Sequence, residues 1–162
     1  MTIIAVIIKN NPQSPPSPST IAPEEDANNV LPAVPTDASK AKAESLWRSK
    51  PDRTFMFEQE GKIIGTYYLT TDQDGPAKSV CDCGYMVSSD ARDMGIAQEM
   101  SAHSQGVAIA VGFNAIQLNF FTSITDVAVA LCNKLGFDII GSVPLALNHP
   151  TLRLVDAFIT YK

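Results

Sequence analysis

Cys83-Gly84-Tyr85-Met86-Val87, a loop, and then Arg92-Asp93-Met94-Gly95-Ile96-Ala97 form the stretch that decides how this chain is read. The pattern predicts a strand from Lys78 to Val87, a loop from Ser88 to Gly95, and a helix that starts at Ile96. Ile96, Met100, His103, Val107 and Ala110 follow at steps of four, three, four and three. That is one helical face with His103 as its polar member, and Gly112 is a plausible stop. The first amides of a helix lack intrahelical acceptors, and the helix dipole places partial positive charge among them. Such a terminus can hold a pyrophosphate. Gly95 would let the backbone approach a ligand closely, and Ala97 keeps the surface small. Taken alone, a glycine before a helix more often just makes a turn. Neither G-x-G-x-x-G nor G-x-x-x-x-G-K-[ST] occurs.

Upstream, Thr54 to Glu58 and Ile63 to Thr70 read as a hairpin around Glu60-Gly61-Lys62. A loop follows from Thr71 to Ala77, marked by Asp74-Gly75-Pro76. Downstream, Ala115 to Phe121 reads as a strand. Asp126 to Leu135 reads as a helix, with Thr125 as N-cap and Gly136 after its last turn. Phe137 to Val143 and Leu152 to Tyr161 read as final strands, separated by a loop containing Pro144 and Pro150. The order β-β-β-α-β-α-β-β predicts an α/β (α+β) domain, a mixed sheet covered by helices.

Composition changes near residue 47. Seven of the 11 prolines lie between Pro12 and Pro35, and no aromatic residue precedes Trp47. Asn10 to Pro35 reads as a flexible connector, because it offers too little surface to offset the entropy of ordering it. Met1 to Lys9 is a possible strand, and Asp37 to Ser49 a short helix capped by Asp37 and anchored by Trp47. The expected organisation is an atypical N-terminal segment, 1–46, with its flexible stretch 10–35, followed by a folded domain, 47–162.

The chain has 162 residues and a formal charge of −5, which argues against nucleic acid as a partner. A small cationic acceptor would suit that charge. Cys81, Cys83 and Cys132 are odd in number and lack zinc spacing, so neither a disulfide framework nor a metal site is expected. Cys81 and Cys83 read as alternate positions of one strand. His103 and His149 are too far apart in sequence to suggest a local site. The apolar run Ile3 to Ile8 is short and not preceded by a basic residue, which does not read as a signal peptide. No run approaches membrane-spanning length. The expectation is an intracellular, cytoplasmic protein with no membrane partner.

Arg92-Asp93-Met94-Gly95-Ile96-Ala97 matches [Q/R]-x-x-G-x-[G/A], the signature of the GNAT superfamily of acyl-CoA-dependent N-acetyltransferases, and the chain resembles that family in further blocks. Gly84-Tyr85-Met86-Val87 is similar to the strand before the signature loop. Ala128-Val129-Ala130-Leu131-Cys132-Asn133-Lys134-Leu135-Gly136-Phe137 resembles its A-x-x-L-Y-x-K-L-G-F block. Gly65-Thr66-Tyr67-Tyr68 looks like the preceding strand entry, and Val155-Asp156-Ala157-Phe158 resembles endings in one subgroup. The resemblance covers roughly Trp47 to Lys162.

That resemblance implies a mixed, largely antiparallel sheet with a splayed parallel pair, flanked by helices. It implies acetyl-CoA as co-substrate, lying where the strand ending at Val87 and the strand Ala115 to Phe121 part. Backbone groups of Tyr85, Met86 and Val87 would pair with the pantetheine arm. Amides of Arg92, Asp93, Met94, Gly95, Ile96 and Ala97 would hold the pyrophosphate. An amide near a bulge in the strand would polarise the thioester carbonyl, and an amine of unknown identity would attack directly.

Several positions depart from the family pattern. Cys132 replaces the frequent Tyr acid; it is a candidate proton donor or simply a small buried residue. Thr125 stands where relatives often place an Asn that contacts CoA, and remains a candidate contact or a plain helix cap. Asn119 could orient the acceptor or satisfy local backbone. Asp82 and Glu58 are candidate bases or exposed strand carboxylates. The proline-rich interval replaces helices that shape the acceptor side. Three functions therefore stand: an N-acetyltransferase, a CoA-binding module without turnover, and a partner-binding protein with no CoA affinity. Neither the acceptor nor the oligomeric state is legible.

Overall fold

Buried and half-buried side chains alternate along Val80–Cys83, as a strand covered by a helix on one face requires. The computed structural model describes residues 2–4, 52–73, 75, 78–91, 93–122, 126–149 and 153–162. The strands are β1 (Thr2–Ile4), β2 (Arg53–Gln59), β3 (Lys62–Thr71), β4 (Val80–Val87), β5 (Ala115–Thr122), β6 (Asp138–His149) and β7 (Arg153–Tyr161). The helices are α1 (Ile96–Ala110) and α2 (Asp126–Lys134), with a 3-10 turn at Ser89–Ala91 after β4. Among the described residues the strands form one sheet in the order β1-β2-β3-β4-β5-β7-β6. Every pairing is antiparallel except β4 with β5. The sheet is thus mixed and largely antiparallel, with one parallel pair, as expected.

The hairpin of β2 and β3 closes through Glu60 and Gly61, both at positive φ (52° and 79°) between the paired residues Gln59 and Lys62. Positive φ at both central residues twists the turn to match the strands it joins. Phe55, Phe57, Tyr67, Leu69, Cys81 and Cys83 from the sheet pack with Ile96, Met100 and Ala108 of α1 and with Cys132 of α2. Full burial of a side chain such as Phe57 or Met100, both 0% exposed, contributes about 1.5–3 kcal/mol. Gly65 lets α1 come close: a Cβ there would lie 2.9 Å from Met100 Sδ and 3.1 Å from Ile96 Cγ2.

Three expectations need correction. The helical face that meets the sheet is Ile96, Met100, Ser101, Ser104 and Ala108, whereas Val107 is half-buried and Ala110 exposed. Two serines take the place of larger apolar groups because their hydroxyls are satisfied locally. Ser104 Oγ donates to Ser101 O at 2.8 Å and lies 2.7 Å from Tyr85 Oη. His103 is half-buried at the rim of this face, its Nδ1 2.6 Å from Tyr67 Oη and its ring edge-on to Phe55 and Phe57. Burial lowers its basicity, which favours the neutral ring as acceptor of the Tyr67 hydroxyl.

The second correction concerns Pro144, which does not end its strand. β6 continues to His149, with its register to β7 broken between Val143 and Leu147 and with Leu145 at φ 53°. Since β6 is the outer strand of the described sheet, a proline at a bulge removes no ladder bond that the sheet needs. Third, β4 starts at Val80, two residues later than expected, because Lys78 and Ser79 form a turn in which Lys78 N–H donates to Gly75 O. The stretch 10–35, the helix expected over Asp37 to Ser49, Arg92 and Thr125 lie outside the described residues.

Candidate functional site

β4 and β5 pair at only three positions, Val80↔Ala115, Cys81↔Ile116 and Asp82↔Gln117. Past that rung each strand turns to its other neighbour. β4 follows β3 as far as Val87, and β5 follows β7 as far as Thr122. Among the described residues Cys83–Val87 and the β5 residues beyond Gln117 are therefore not strand partners. The sheet opens there as a V, and Asp82 and Gln117 stand at its vertex. Backbone groups on the inner edge of β4 are left to bind something else, because a backbone polar group without a partner is costly.

The side chains of β4 do not compete for that edge. Tyr85 turns towards α1, where its hydroxyl meets Ser104, and burial drives its phenol well above the ordinary value. Met86 is buried, and Val87 is half-buried against the core. These three expected contact residues thus offer the cleft mainly backbone. Gly84 has Tyr68 against it: a Cβ at Gly84 would lie 2.3 Å from Tyr68 Cε1.

Beyond the 3-10 turn the chain reaches the expected anion loop. Asp93, Met94 and Gly95 are exposed, with Asp93 at φ 57° and Gly95 at φ 77°. Gly95 is the N-cap of α1 and makes no side-chain cap bond. Glu99 N–H is the amide that donates to Gly95 O, at 3.1 Å. The amides of Ile96, Ala97 and Gln98 come before that first helical bond, so the helix does not use them. Around Gly95 no heavy atom lies within 4 Å of an added Cβ. The loop is open on the side where an anion would approach.

At the vertex the polar side chains converge on Asn119. Its Nδ2 donates to Asp72 Oδ1 at 2.9 Å, and its Oδ1 accepts from Gln117 Nε2 at 2.8 Å. The backbone amides of Asn119 and Cys83 lie close enough to the Asp82 carboxyl to favour its charged form. Burial pushes the Asp82 carboxyl up to about 6; those amides oppose the rise and the charge of Asp72 adds to it. Burial and the charge of Asp82 likewise push the Tyr68 phenol up.

The remaining candidates lie elsewhere. Glu58 is half-buried on β2, two strands from β4. Cys132 is 3% exposed within the core cluster, beside Phe137. Burial pushes its thiol up to about 11, so it stays protonated at neutral pH. Sequence reasoning missed Asp72 and Gln117. Both are ordinary polar residues by composition, and only the meeting of β3, β4 and β5 shows their connection. Among the described residues no cluster of three or more His, Cys, Asp or Glu could hold a metal ion. No described helix is long and apolar enough to cross a membrane.

The sequence model of the acetyltransferase (GNAT) family matches residues 22–137, beginning upstream of the change in composition near residue 47. The chain is similar to a GCN5-related N-acetyltransferase from Kribbella flavida, with 31% identity, 80% of each chain covered and a TM-score of 0.73. It is also similar in fold to a ribosomal-protein-alanine N-acetyltransferase from Brucella melitensis. That match has 18% identity, covers 68% of this chain and 67% of the other, and has a TM-score of 0.61. A third structure is yncA from Salmonella typhimurium, assigned as an acetyltransferase and solved with its cofactor acetyl-CoA. It has 15% identity, 80% and 73% coverage and a TM-score of 0.64. No curated protein matches the chain. The family match spans well over half of the sequence, and the splayed parallel pair lies beside the signature loop: the chain belongs to the GNAT family of acetyltransferases.

Proposed function

We propose that this protein transfers the acetyl group of acetyl-CoA to an amine by direct attack in the cleft between β4 and β5. The observation that carries the reading is the three-rung β4–β5 pairing, which opens towards the Gly95 loop. Bound acetyl-CoA supplies an activated thioester. The free edge of β4 at Tyr85, Met86 and Val87 would hold its pantetheine arm by backbone hydrogen bonds. The amides from Asp93 to Ala97 would hold its pyrophosphate, helped by the helix dipole. Arg92 and Thr125 are assigned to the same site through the family pattern alone. An amide of the β4 edge would stabilise charge on the carbonyl oxygen as it develops.

Asp82 is assigned as proton acceptor. A carboxyl pushed up to about 6 is mostly ionised at neutral pH yet more basic than an ordinary carboxylate. It is thus better matched to taking a proton from the attacking amine. Asn119 beside it is assigned to orient the acceptor. Cys132 receives no proton-transfer role because its thiol lies in the core, and the departing thiolate would be protonated by water. Three free, buried cysteines suit a reducing compartment, which favours the cytoplasm.

A second reading, a CoA-binding module without turnover, draws support from Cys132 in place of the family's Tyr. The test is release of free thiol from acetyl-CoA in the presence of a panel of primary amines, including polyamines, amino acids, aminoglycosides and peptide N-termini. Amine-dependent release that disappears in Asp82→Asn supports transfer. Acetyl-CoA binding by calorimetry with no release from any amine favours the second reading.

A further inference from the structure

Two carboxylates reach the same residue of β5 from different directions. Asp72 follows directly on β3, and its backbone N–H donates to Val80 O at 3.1 Å, tying the β3–β4 connection to the start of β4. Its side chain accepts from Asn119 on β5, forty-seven positions later in sequence. Since β4 lies between β3 and β5, this bond passes over the strand that carries Asp82. Asn119 uses its other amide atom to accept from Gln117, so both ends of that amide are committed and its orientation is fixed. The vertex of the cleft is thus set by a chain of three side chains, Gln117, Asn119 and Asp72, with Asp82 on β4 paired directly to Gln117.

We propose that Asp72 is a positioning residue of the acetyl-transfer site, which fixes the Asn119 amide at the cleft vertex and faces Asp82 with like charge. The inference rests on the proposed transfer reaction for its catalytic meaning, but its structural content can be measured without turnover. The titratable groups that face Asp82 among the described residues are Asp72 from the β3–β4 connection, Tyr68 from β3 and Cys83 from β4 itself. Opposite it on β3 is Thr70, and β5 presents Gln117 and Asn119, all neutral. Among the described residues no cation forms a salt bridge with Asp72 or Asp82. Asp72 is thus the charged neighbour that acts on Asp82, and a like charge favours the protonated form.

Two variants of the full chain separate the two roles. Asp72→Asn keeps an oxygen that can accept from Asn119 but removes the charge. Asp72→Ala removes both. The Asp82 carboxyl carbon is followed by NMR across pH, with Asp82→Asn used for assignment, and hydrogen exchange of the Asn119 side-chain amide is read on the same samples. In Asp72→Asn the Asp82 midpoint should fall by roughly 0.5–1 pH unit with Asn119 still protected. In Asp72→Ala the midpoint should fall and the protection should be lost. The acidic limb of the kcat/KM profile for thiol release should move down with the Asp82 midpoint in Asp72→Asn. An unmoved Asp82 midpoint in folded Asp72→Asn, or an equally protected Asn119 amide in folded Asp72→Ala, overturns the inference. If the midpoint moves and the rate profile does not, Asp72 remains a positioning residue and the assignment of Asp82 as proton acceptor fails instead.

Discussion

Asp82→Asn should stabilise the protein at neutral pH and lose that advantage in acid. The carboxyl sits at about 6 in the fold against an ordinary 3.8. The native state therefore holds this proton more tightly than the unfolded chain does. Such a group contributes its full stability below the unfolded value, and that contribution is lost as pH rises through about 6. The gap is roughly 2 units, and at about 1.4 kcal/mol per unit the ionised carboxylate costs about 3 kcal/mol above pH 7. Asparagine has no charge to desolvate and keeps the shape of the side chain. Urea unfolding of wild type and Asp82→Asn at about pH 4 and about pH 8 measures the effect. The stability difference should grow by about 2.5 kcal/mol in favour of the variant between those two values, while the variant loses acetyl transfer at about pH 8. A difference that stays constant with pH, or grows in favour of wild type, would refute the reasoning by showing that burial does not dominate at Asp82.

Two other substitutions probe the supports of the cleft. Ser104→Ala leaves the buried Tyr85 hydroxyl without its 2.7 Å partner and should cost about 1–3 kcal/mol in urea unfolding. Acetyl-CoA affinity should stay near wild type, because Tyr85 faces α1 and offers the cleft only backbone. Gly84→Ala places a methyl 2.3 Å from Tyr68 Cε1, so either the ring or the β4 edge must move. It should cost about 1–3 kcal/mol and, unlike Ser104→Ala, weaken acetyl-CoA binding in calorimetry.

The order of elements from β2 to β7 was legible because each carries a local signal: Glu60-Gly61 for a turn, Ile96 and Met100 on one helical face, Gly136 after a helix. The cleft was legible only through the family resemblance of the loop ending in Gly95, since nothing local announces that two parallel strands will part after three rungs. Where the reading failed, the deciding interaction was distant in sequence or polar. Ser101 and Ser104 look like solvent-facing residues until Tyr85, from β4, arrives as a partner for Ser104. Pro144 looks like a strand breaker until β6 is seen at the sheet edge. Asp72 falls in a stretch read as loop, and its partner is forty-seven positions away. Asp82 and Asn119 are legible as residue types, but their meeting at one vertex depends on the register that places Asp82 beside Gln117.

The occupant of the cleft is tested most directly by calorimetric titration of acetyl-CoA into wild type and Gly95→Glu. Gly95 has φ 77° and open space where a side chain would stand, so glutamate can be accommodated at a backbone cost of about 1–2 kcal/mol. Its carboxylate would then occupy the approach to the amides of Ile96 and Ala97 and repel a pyrophosphate. Circular dichroism on the same samples establishes that the variant is folded. The expected result is saturable one-to-one binding to wild type and no measurable binding to folded Gly95→Glu. Equal affinity in the two proteins, or no binding to wild type, would contradict an acyl-CoA site between β4 and β5.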